Sequence, residues 1–487
     1  MVINENKLFD KWKSIIGDQY VKVSSELVEK MMMDVGHFDK RKVLAIISPS
    51  CAKEVEQLIQ VMSELDLSIP MYPISTGRNW GQGSRKPTGE SECILIDLHR
   101  MNRILEINLQ YGYAIIEPGV TQWQISQALK DTPFSMNVTG SCKDTSIIGN
   151  TIDRGLGFNR LREDDLLAFE VVLGNGKRIK TGHFSQIPSA AIDWDVPYYA
   201  GPDMTSLFFQ SNLGIITAAI IKLIPRHEST KMISGKISKT NLTNAIDLLV
   251  KLKHEGLFNS ILKVYSESAM KTYRISSESE EETYGFYGSY SGRTTVVKAI
   301  EELLIEELSA QKIENIKALD TSNITEDENI ILNWYLGNPD PCDSIHSAFG
   351  INHCNVDKDA KEGWLFFLPD IPASGKDVEK ALDILKRTSE DYSLLINSTI
   401  NIISDTSIRL VISIRFPRNE KGVLRGRNAL EQLYEQFSAH DYYPSRYDID
   451  HRDGKAIFGE GDYLNTLMAI KKVFDEKGII APKHYIP

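Results

Sequence analysis

A chain of 487 residues, 42% apolar and 25% charged, has the composition of a soluble globular protein and is too long for one hydrophobic core, so two domains of roughly 200 residues or more are expected. Its net charge of -11, with Lys and Arg interspersed among Asp and Glu, argues against nucleic acid and for small molecules as partners. No run of about 18 apolar residues occurs, and Met1 to Tyr20 has no apolar core of signal-peptide length, so a cytoplasmic protein with no membrane partner is expected.

The first third alternates helical and strand patterns. Ala52 to Leu65 has helical periodicity, while Cys93 to Asp97 and Tyr113 to Glu117 are short apolar runs bounded by turn residues, which predict strands. The segment "FEVVLGNGKRIKT", Phe169 to Thr181, places Gly174-Asn175-Gly176 between two strand-like runs and predicts a hairpin, with Asn-Gly suited to positive φ. The run "GIITAAIIKLIPR" ends at Arg226, after which Lys, Ser, Glu and Asn become frequent, so a second domain is expected to begin near His227. There "SSESEEETYGFYGSYSG" reads as an exposed polar turn region. Predicted helices at Leu242 to His254, Thr295 to Ser309 and Lys376 to Asp391, with strands at Leu365 to Leu368 and Leu410 to Phe416, give helices over one face of an antiparallel sheet. The last stretch, "YLNTLMAIKKVFDEKGIIAP", predicts a helix stopped by Gly478 with Pro482 soon after. The fold class is α+β. The cysteines, Cys51, Cys93, Cys142, Cys342 and Cys354, form no C-x-x-C pair, so neither a disulfide framework nor a metal site is expected.

The most informative segment is "YPISTGRNWGQGS", Tyr72 to Ser84, in which a strand-like run feeds a turn containing Gly77, Gly81 and Gly83. The spacing is neither Walker A nor G-x-G-x-x-G. Closely placed glycines let backbone N–H groups converge on an anion such as a diphosphate without Cβ obstruction, although the same spacing also makes plain surface turns.

Four further motifs follow: "YAIIEPGVTQWQI" at Tyr113 to Ile125, "SIIGNTIDRGLGF" at Ser146 to Phe158, "FFQSNLGIIT" at Phe208 to Thr217 and "DEKGIIAPKHY" at Asp475 to Tyr485. In this order they make the chain resemble the FAD-linked oxidases related to vanillyl-alcohol oxidase and the flavoprotein subunit of 4-cresol methylhydroxylase, over most of its length. The resemblance implies a two-part FAD-binding domain, residues 1–227 and 437–487, with an inserted cap domain, 228–436, of antiparallel sheet covered by helices. It also implies FAD as cofactor, a homodimer, and hydride transfer from a small organic substrate to flavin N5, with oxygen or another electron acceptor removing the electrons. The flavin stores the resulting negative charge near N1 and O2, an electron sink that amino acids lack. Oxidative decarboxylation and a non-catalytic flavin-binding role are the alternatives.

Carried onto this sequence, the resemblance puts Ser75, Thr76, Gly77, Arg78, Asn79, Trp80, Gly81, Gln82 and Ser84 around the diphosphate. It puts Pro118, Gly140, Ser141, Cys142, Ser146, Gly149, Asn150, Gly155, Gly157 and Phe158 along the cofactor, with Gly214, Ile216 and Lys483 helping to hold it. In "YYPSRYDIDHRD" the family usually shows Tyr-Arg where this chain has Ser445-Arg446, so Arg446 is the leading electrostatic residue, its fixed positive charge suited to reduced flavin or an anionic substrate. Ser141 stands where vanillyl-alcohol oxidase has an aspartate, and Phe158 and Gln82 replace tyrosines, so the family's phenolate clamp is reduced to its arginine. Tyr443 and Tyr447 are candidates to compensate, and Arg409 and His353 are candidates to reach the reactive face of the flavin from the cap. Trp364 occupies the place of the histidine that bonds flavin, so that link is expected to be absent. Gly140-Ser141-Cys142 is similar to the G-x-C of berberine-bridge-type enzymes, which leaves a cysteinyl link through Cys142 open beside non-covalent binding.

Overall fold

The computed structural model describes residues 2–23, 34–78, 80–89, 91–182, 202–272, 283–340 and 360–487. The first strands are near-continuous apolar runs, as a sheet buried on both faces requires. They are β1 (Val21–Lys22), β2 (Val43–Ile47), β3 (Met71–Ile74) and β4 (Cys93–Asp97), in the order β1-β2-β4-β3 with β2, β4 and β3 parallel. Helix Ala52–Glu64 makes the crossover from β2 to β3 and buries Val55, Leu58, Ile59 and Met62, in one core with Leu8 and Trp12 of helix Val2–Ile16. The backbone of the C-terminal segment runs along the free edge of β3: Met71 N–H donates to Ile479 O at 2.7 Å and Ala481 N–H to Met71 O at 2.9 Å.

Seven strands follow: β5 (Ile104–Asn108), β6 (Tyr113–Ile116), β7 (Phe134–Ser135), β8 (Leu166–Val172), β9 (Arg178–Lys180), β10 (Ile215–Lys222) and β11 (Ile224–Pro225). An antiparallel sheet has the order β5-β6-β10-β8-β9, and β7 pairs with β11. The hairpin expected at Phe169 to Thr181 is β8–β9, but its turn is longer than Asn-Gly alone. Leu173 N–H donates to Lys177 O at 2.9 Å, and only Gly176 takes positive φ, at 78°, while Asn175 Oδ1 accepts Lys177 N–H at 3.0 Å.

The third sheet has eight antiparallel strands: β12 (Ser229–Ser238), β13 (Leu262–Ser266), β14 (Thr283–Gly292), β15 (Glu314–Leu319), β16 (Glu362–Pro372), β17 (Leu395–Ile402), β18 (Ser407–Pro417) and β19 (Tyr443–Arg446), ordered β15-β12-β14-β13-β17-β18-β16-β19. Helices Leu242–His254, Thr294–Ala310, Gly375–Tyr392 and Glu420–Ser438 bury their apolar stripes on one face, against Leu262, Val264, Ile400, Ile402, Leu410, Ile412 and Ile414. Period-two alternation turns Lys263, Tyr265, Thr399, Asn401, Arg409 and Val411 to the other face, which closes over the first two sheets.

Two sequence expectations are corrected. Thr283–Gly292, the end of the segment read as an exposed polar turn, is an interior strand with Tyr284, Phe286, Tyr287 and Tyr290 buried. Its glycines serve close packing rather than turning: a Cβ on Gly288 would lie 2.3 Å from Leu262 Cδ2. The C-terminal helix, Asp462–Phe474, ends before Gly478 is reached. Asp475 ends it, its N–H donating to Lys471 O at 2.7 Å while its carboxylate accepts the N–H groups of Ile479 and Ile480 at 3.0 and 2.7 Å.

Candidate active site

A cavity of about 370 Å³ lies where the glycine loop after β3, the segment 118–158, the C-terminal segment and the open face of the third sheet meet. Seven cationic residues line it, Arg78, Lys86, Arg154, Lys263, Arg409, Arg446 and Arg452, against one acidic residue, Asp153, in a chain whose net charge is -11. Positive charge is thus gathered here against the overall balance, as an anionic ligand requires.

The loop end is tied by small hydroxyl residues. Thr76 Oγ1 accepts the Ser146 N–H at 3.1 Å, and Ser146 Oγ donates to Pro118 O at 2.7 Å while accepting the Gly149 N–H at 2.9 Å, capping helix Ile147–Ile152. Gly149 is required for this approach, since a Cβ there would lie 2.4 Å from Ser75 Oγ. Gly77, with φ at 63°, sets the turn. Along the next wall Thr139, Ser141 and Thr145 form a hydroxyl ladder, with Oγ contacts of 2.5 and 2.7 Å, and Thr139 is held by Gln122 Oε1, which accepts its N–H at 3.1 Å.

The C-terminal wall is ionic. Arg446 donates through Nε to Asp153 Oδ2 at 2.7 Å, with Nη2 also at 2.7 Å, and Arg452 Nη2 reaches the same oxygen at 3.3 Å. Burial pushes the Asp153 carboxyl up, but Arg446 and Arg452 outweigh it and hold its pKa below the ordinary value. Two guanidinium groups sharing one carboxylate leave a net positive charge. His484 accepts from Arg452 Nη1 through Nδ1 at 3.4 Å, and burial with Arg452 beside it lowers its pKa to about 3, so the ring is neutral.

On the sheet side, cross-strand register sets Tyr287, Lys263, Asn401, Arg409 and Asp370 in one row across β14, β13, β17, β18 and β16. Arg409 donates to both Asp370 oxygens, at 2.7 and 2.9 Å, and to Arg154 O at 3.2 Å. Phe158, Trp334, Trp364 and Phe366 supply the apolar wall, with Phe158 4.9 Å from Trp334 and Trp364 4.7 Å from Phe366, centroid to centroid.

Of the residues singled out from sequence, Ser75, Thr76, Gly77, Arg78, Gln82, Ser84, Pro118, Gly140, Ser141, Ser146, Gly149, Asn150, Phe158, Gly214, Ile216, Arg409 and Arg446 line this cavity. Gly81, Gly155, Gly157 and Lys483 stand behind the lining, where Gly81 lets the loop meet β16 and Gly155 packs on Asn150. Tyr443 and Tyr447 are placed elsewhere. Tyr443 begins β19 with 53% exposure, and Tyr447 stacks on Tyr434 at 5.9 Å, so neither supplies a phenol to the wall. Cys142 is also off the lining: its side chain is 1% exposed within the apolar core, with Sγ 3.7 Å from Thr145 Oγ1. The side chain of Trp80, together with Asn79 and His353, lies outside the described residues. Sequence reading missed Lys263, Asn401, Arg452 and His484. For Lys263 a signal existed, a lysine in the otherwise apolar alternation "ILKVY".

Residues 43–182 match the family described as FAD binding domain. The whole fold is that of p-cresol methylhydroxylase, solved with substrate bound, at a TM-score of 0.89 and 20% identity over 99% of this chain and 97% of that one. Together they define the class: an FAD-binding domain set in the p-cresol methylhydroxylase fold. Among relatives, 1'-carboxy-chondrochloren decarboxylase of Chondromyces crocatus is 28% identical over 91% of this chain and 90% of its own length. The 4-cresol dehydrogenase [hydroxylating] flavoprotein subunit of Pseudomonas putida is 31% identical over 45% of this chain and 43% of its own, so the match spans less than half of that protein. The 4-ethylphenol oxidase of Gulosibacter chungangensis, solved as an isoeugenol complex, has the same fold, with a TM-score of 0.88 at 20% identity over 100% of this chain and 98% of that one. Among the described residues no cluster of ligating side chains for a metal is found, and no helix is long and apolar enough to cross a membrane.

FAD is the cofactor, and the walls fit it. Asn150 Oδ1 and Asp153 Oδ1, on the cavity lining, are buried acceptors without a partner among the described residues, as expected where a bound molecule brings donors.

Proposed function

We propose that this chain takes a hydride from a small organic substrate held in the cap half of the cavity, passing its electrons to oxygen or another acceptor. The observation that carries the reading is one cavity lined both by the glycine loop, through Ser75 to Arg78, Gln82 and Ser84, and by the polar row of the third sheet. Ser75 to Arg78, Ser84, Ser146, Gly149 and Asn150 would hold the dinucleotide, and Gly214 and Ile216 would flank it. FAD supplies the two-electron acceptor that no side chain provides. Arg446 and Arg452, sharing Asp153, keep a fixed positive field on the C-terminal wall, where negative charge gathered during reduction is stabilised without reorganisation. The aromatic wall excludes water from the substrate. Attachment is non-covalent in this reading: Trp364 cannot make the histidyl bond, and Cys142 packs in the core behind Ser141.

A second reading, oxidative decarboxylation, is favoured by the length of one match, since the decarboxylase relative aligns over 91% of the chain and the cresol relative over 45%. The balance is simple. Hydride leaves the carbon next to the carboxylate-bearing carbon, the C–C bond pair closes a double bond, and carbon dioxide departs, so the carboxylate's negative charge leaves with the hydride.

The purified chain tests both. It is expected to show a flavin spectrum, release its FAD on acid precipitation, and bleach anaerobically with a member of a panel of alcohols, phenols and aromatic acids. Product mass separates the readings, because decarboxylation removes carbon dioxide and dehydrogenation only hydrogen. A flavin-loaded chain that no member of the panel reduces overturns the enzymatic reading.

A further inference from the structure

Lys263 is 4% exposed and lines the cavity. Among the described residues its ammonium makes one hydrogen bond, to Gly157 O at 3.3 Å, and lies 4.7 Å from the centroid of the Phe158 ring. An ammonium carries three donors, so two have no acceptor among the described residues. No carboxylate among the described residues pairs with it; the charged neighbour that it feels is Arg409, a second cation. Arg409, unlike Lys263, already has its charge paired, with both Asp370 oxygens and Arg154 O on its guanidinium. Placement follows from the strand: Leu262 and Val264 face the helices, so Lys263 must face the cavity, directly opposite Asn401 and two residues from Tyr265.

A buried cation with no counter-ion is costly, and such sites persist where a ligand supplies the missing charge. We propose that Lys263 is the anchor for a carboxylate on the substrate, which makes the substrate class a small organic acid with an aromatic or apolar body. The proposal rests on the reading of this cavity as the substrate chamber of the flavoenzyme. Phe158 beside the ammonium, and Trp334 packed on that ring, accept the apolar body. The Lys263 pKa, lowered by burial and then by Arg409 to about 7, agrees with a charge waiting for a partner, because an anion beside it raises that value again.

Binding of unreactive acids tests this without turnover. Benzoate and phenylacetate are titrated into flavin-loaded protein and followed by the change in flavin absorbance, beside their neutral amides. Wild type is expected to bind the acids about 10- to 100-fold more tightly than the amides, the range of a charge-assisted hydrogen bond. Lys263→Met is expected to remove that preference, the acids losing about 10- to 100-fold more affinity than the amides, and Lys263→Arg to restore it in part. Should Lys263→Met fail to hold flavin, Lys263→Gln carries the same comparison. Equal binding of acids and amides by wild type, no binding of the acids, or an undiminished preference in the uncharged variants each overturns the assignment. A chain that holds no flavin at all overturns the functional reading along with it, so the two failures are distinguishable.

Discussion

Lys471 and Lys263 are both buried, at 5% and 4% exposure, yet their surroundings differ in kind. Lys471 Nζ donates to Asn212 O, Asp475 Oδ2 and Ile480 O, at 2.5, 2.7 and 2.7 Å, so each proton has an acceptor and the charge has its counter-ion. Lys263 has one backbone carbonyl and a ring face. The first completes a knot that fastens the C-terminal helix to the loop before β10 and to the strand-like backbone beside β3. The second leaves binding capacity open at a cavity. Burial of a charge therefore does not reveal its role; the count of satisfied donors does.

Breaking the knot should have the largest effect. Lys471→Met leaves the Asp475 carboxylate, 1% exposed, without its cation, and is expected to cost about 3–5 kcal/mol in urea denaturation, with loss of bound FAD. A cost below about 1 kcal/mol would mean that the C-terminal segment is held by its backbone bonds alone.

Arg446→Ala comes next. Arg452 still neutralises Asp153, so FAD occupancy should hold while the rate of flavin reduction falls about 10- to 100-fold in stopped-flow measurement. Unchanged reduction kinetics would remove Arg446 from the chemistry.

The smallest effect sharpens the contrast through pH. Burial lowers the folded pKa of Lys263 to about 7 from 10.5, so between pH 7 and 9 the unfolded chain binds this proton more strongly than the folded one. Stability contributed at this site therefore rises with pH across that window, and Lys263→Met should flatten the rise. Among the described residues the charged and titratable groups facing Lys263 are the Arg409–Asp370 pair, Tyr265 and Tyr287. They remain in the variant, and a rise that persists there would belong to another group.

Much of the fold was legible because its signals are local. Helix Leu242–His254 was read to the residue from its apolar spacing, and Leu410 to Phe416, the greater part of β18, from its strand pattern. The polar segment ending in β14 was misread since its glycines mimic turn chemistry, and only the neighbours Leu262 and Phe258 show that they make room for packing. The candidate site divides the same way. Ser75 to Ser84 announced itself by glycine spacing, whereas Tyr443, exposed at the start of β19, and Tyr447, stacked on Tyr434, had the right chemistry off the cavity lining.

What the sequence alone determined was the class of protein, its alternating elements and the glycine-lined loop, since these depend on residue type and short spacing. Which charges meet was decided by tertiary structure. Asp153 joins Arg446 and Arg452 from some 300 positions away, and Lys263 is set beside Asn401 by strand register. Coulombic pairing and desolvation depend on distances through space that no local pattern encodes.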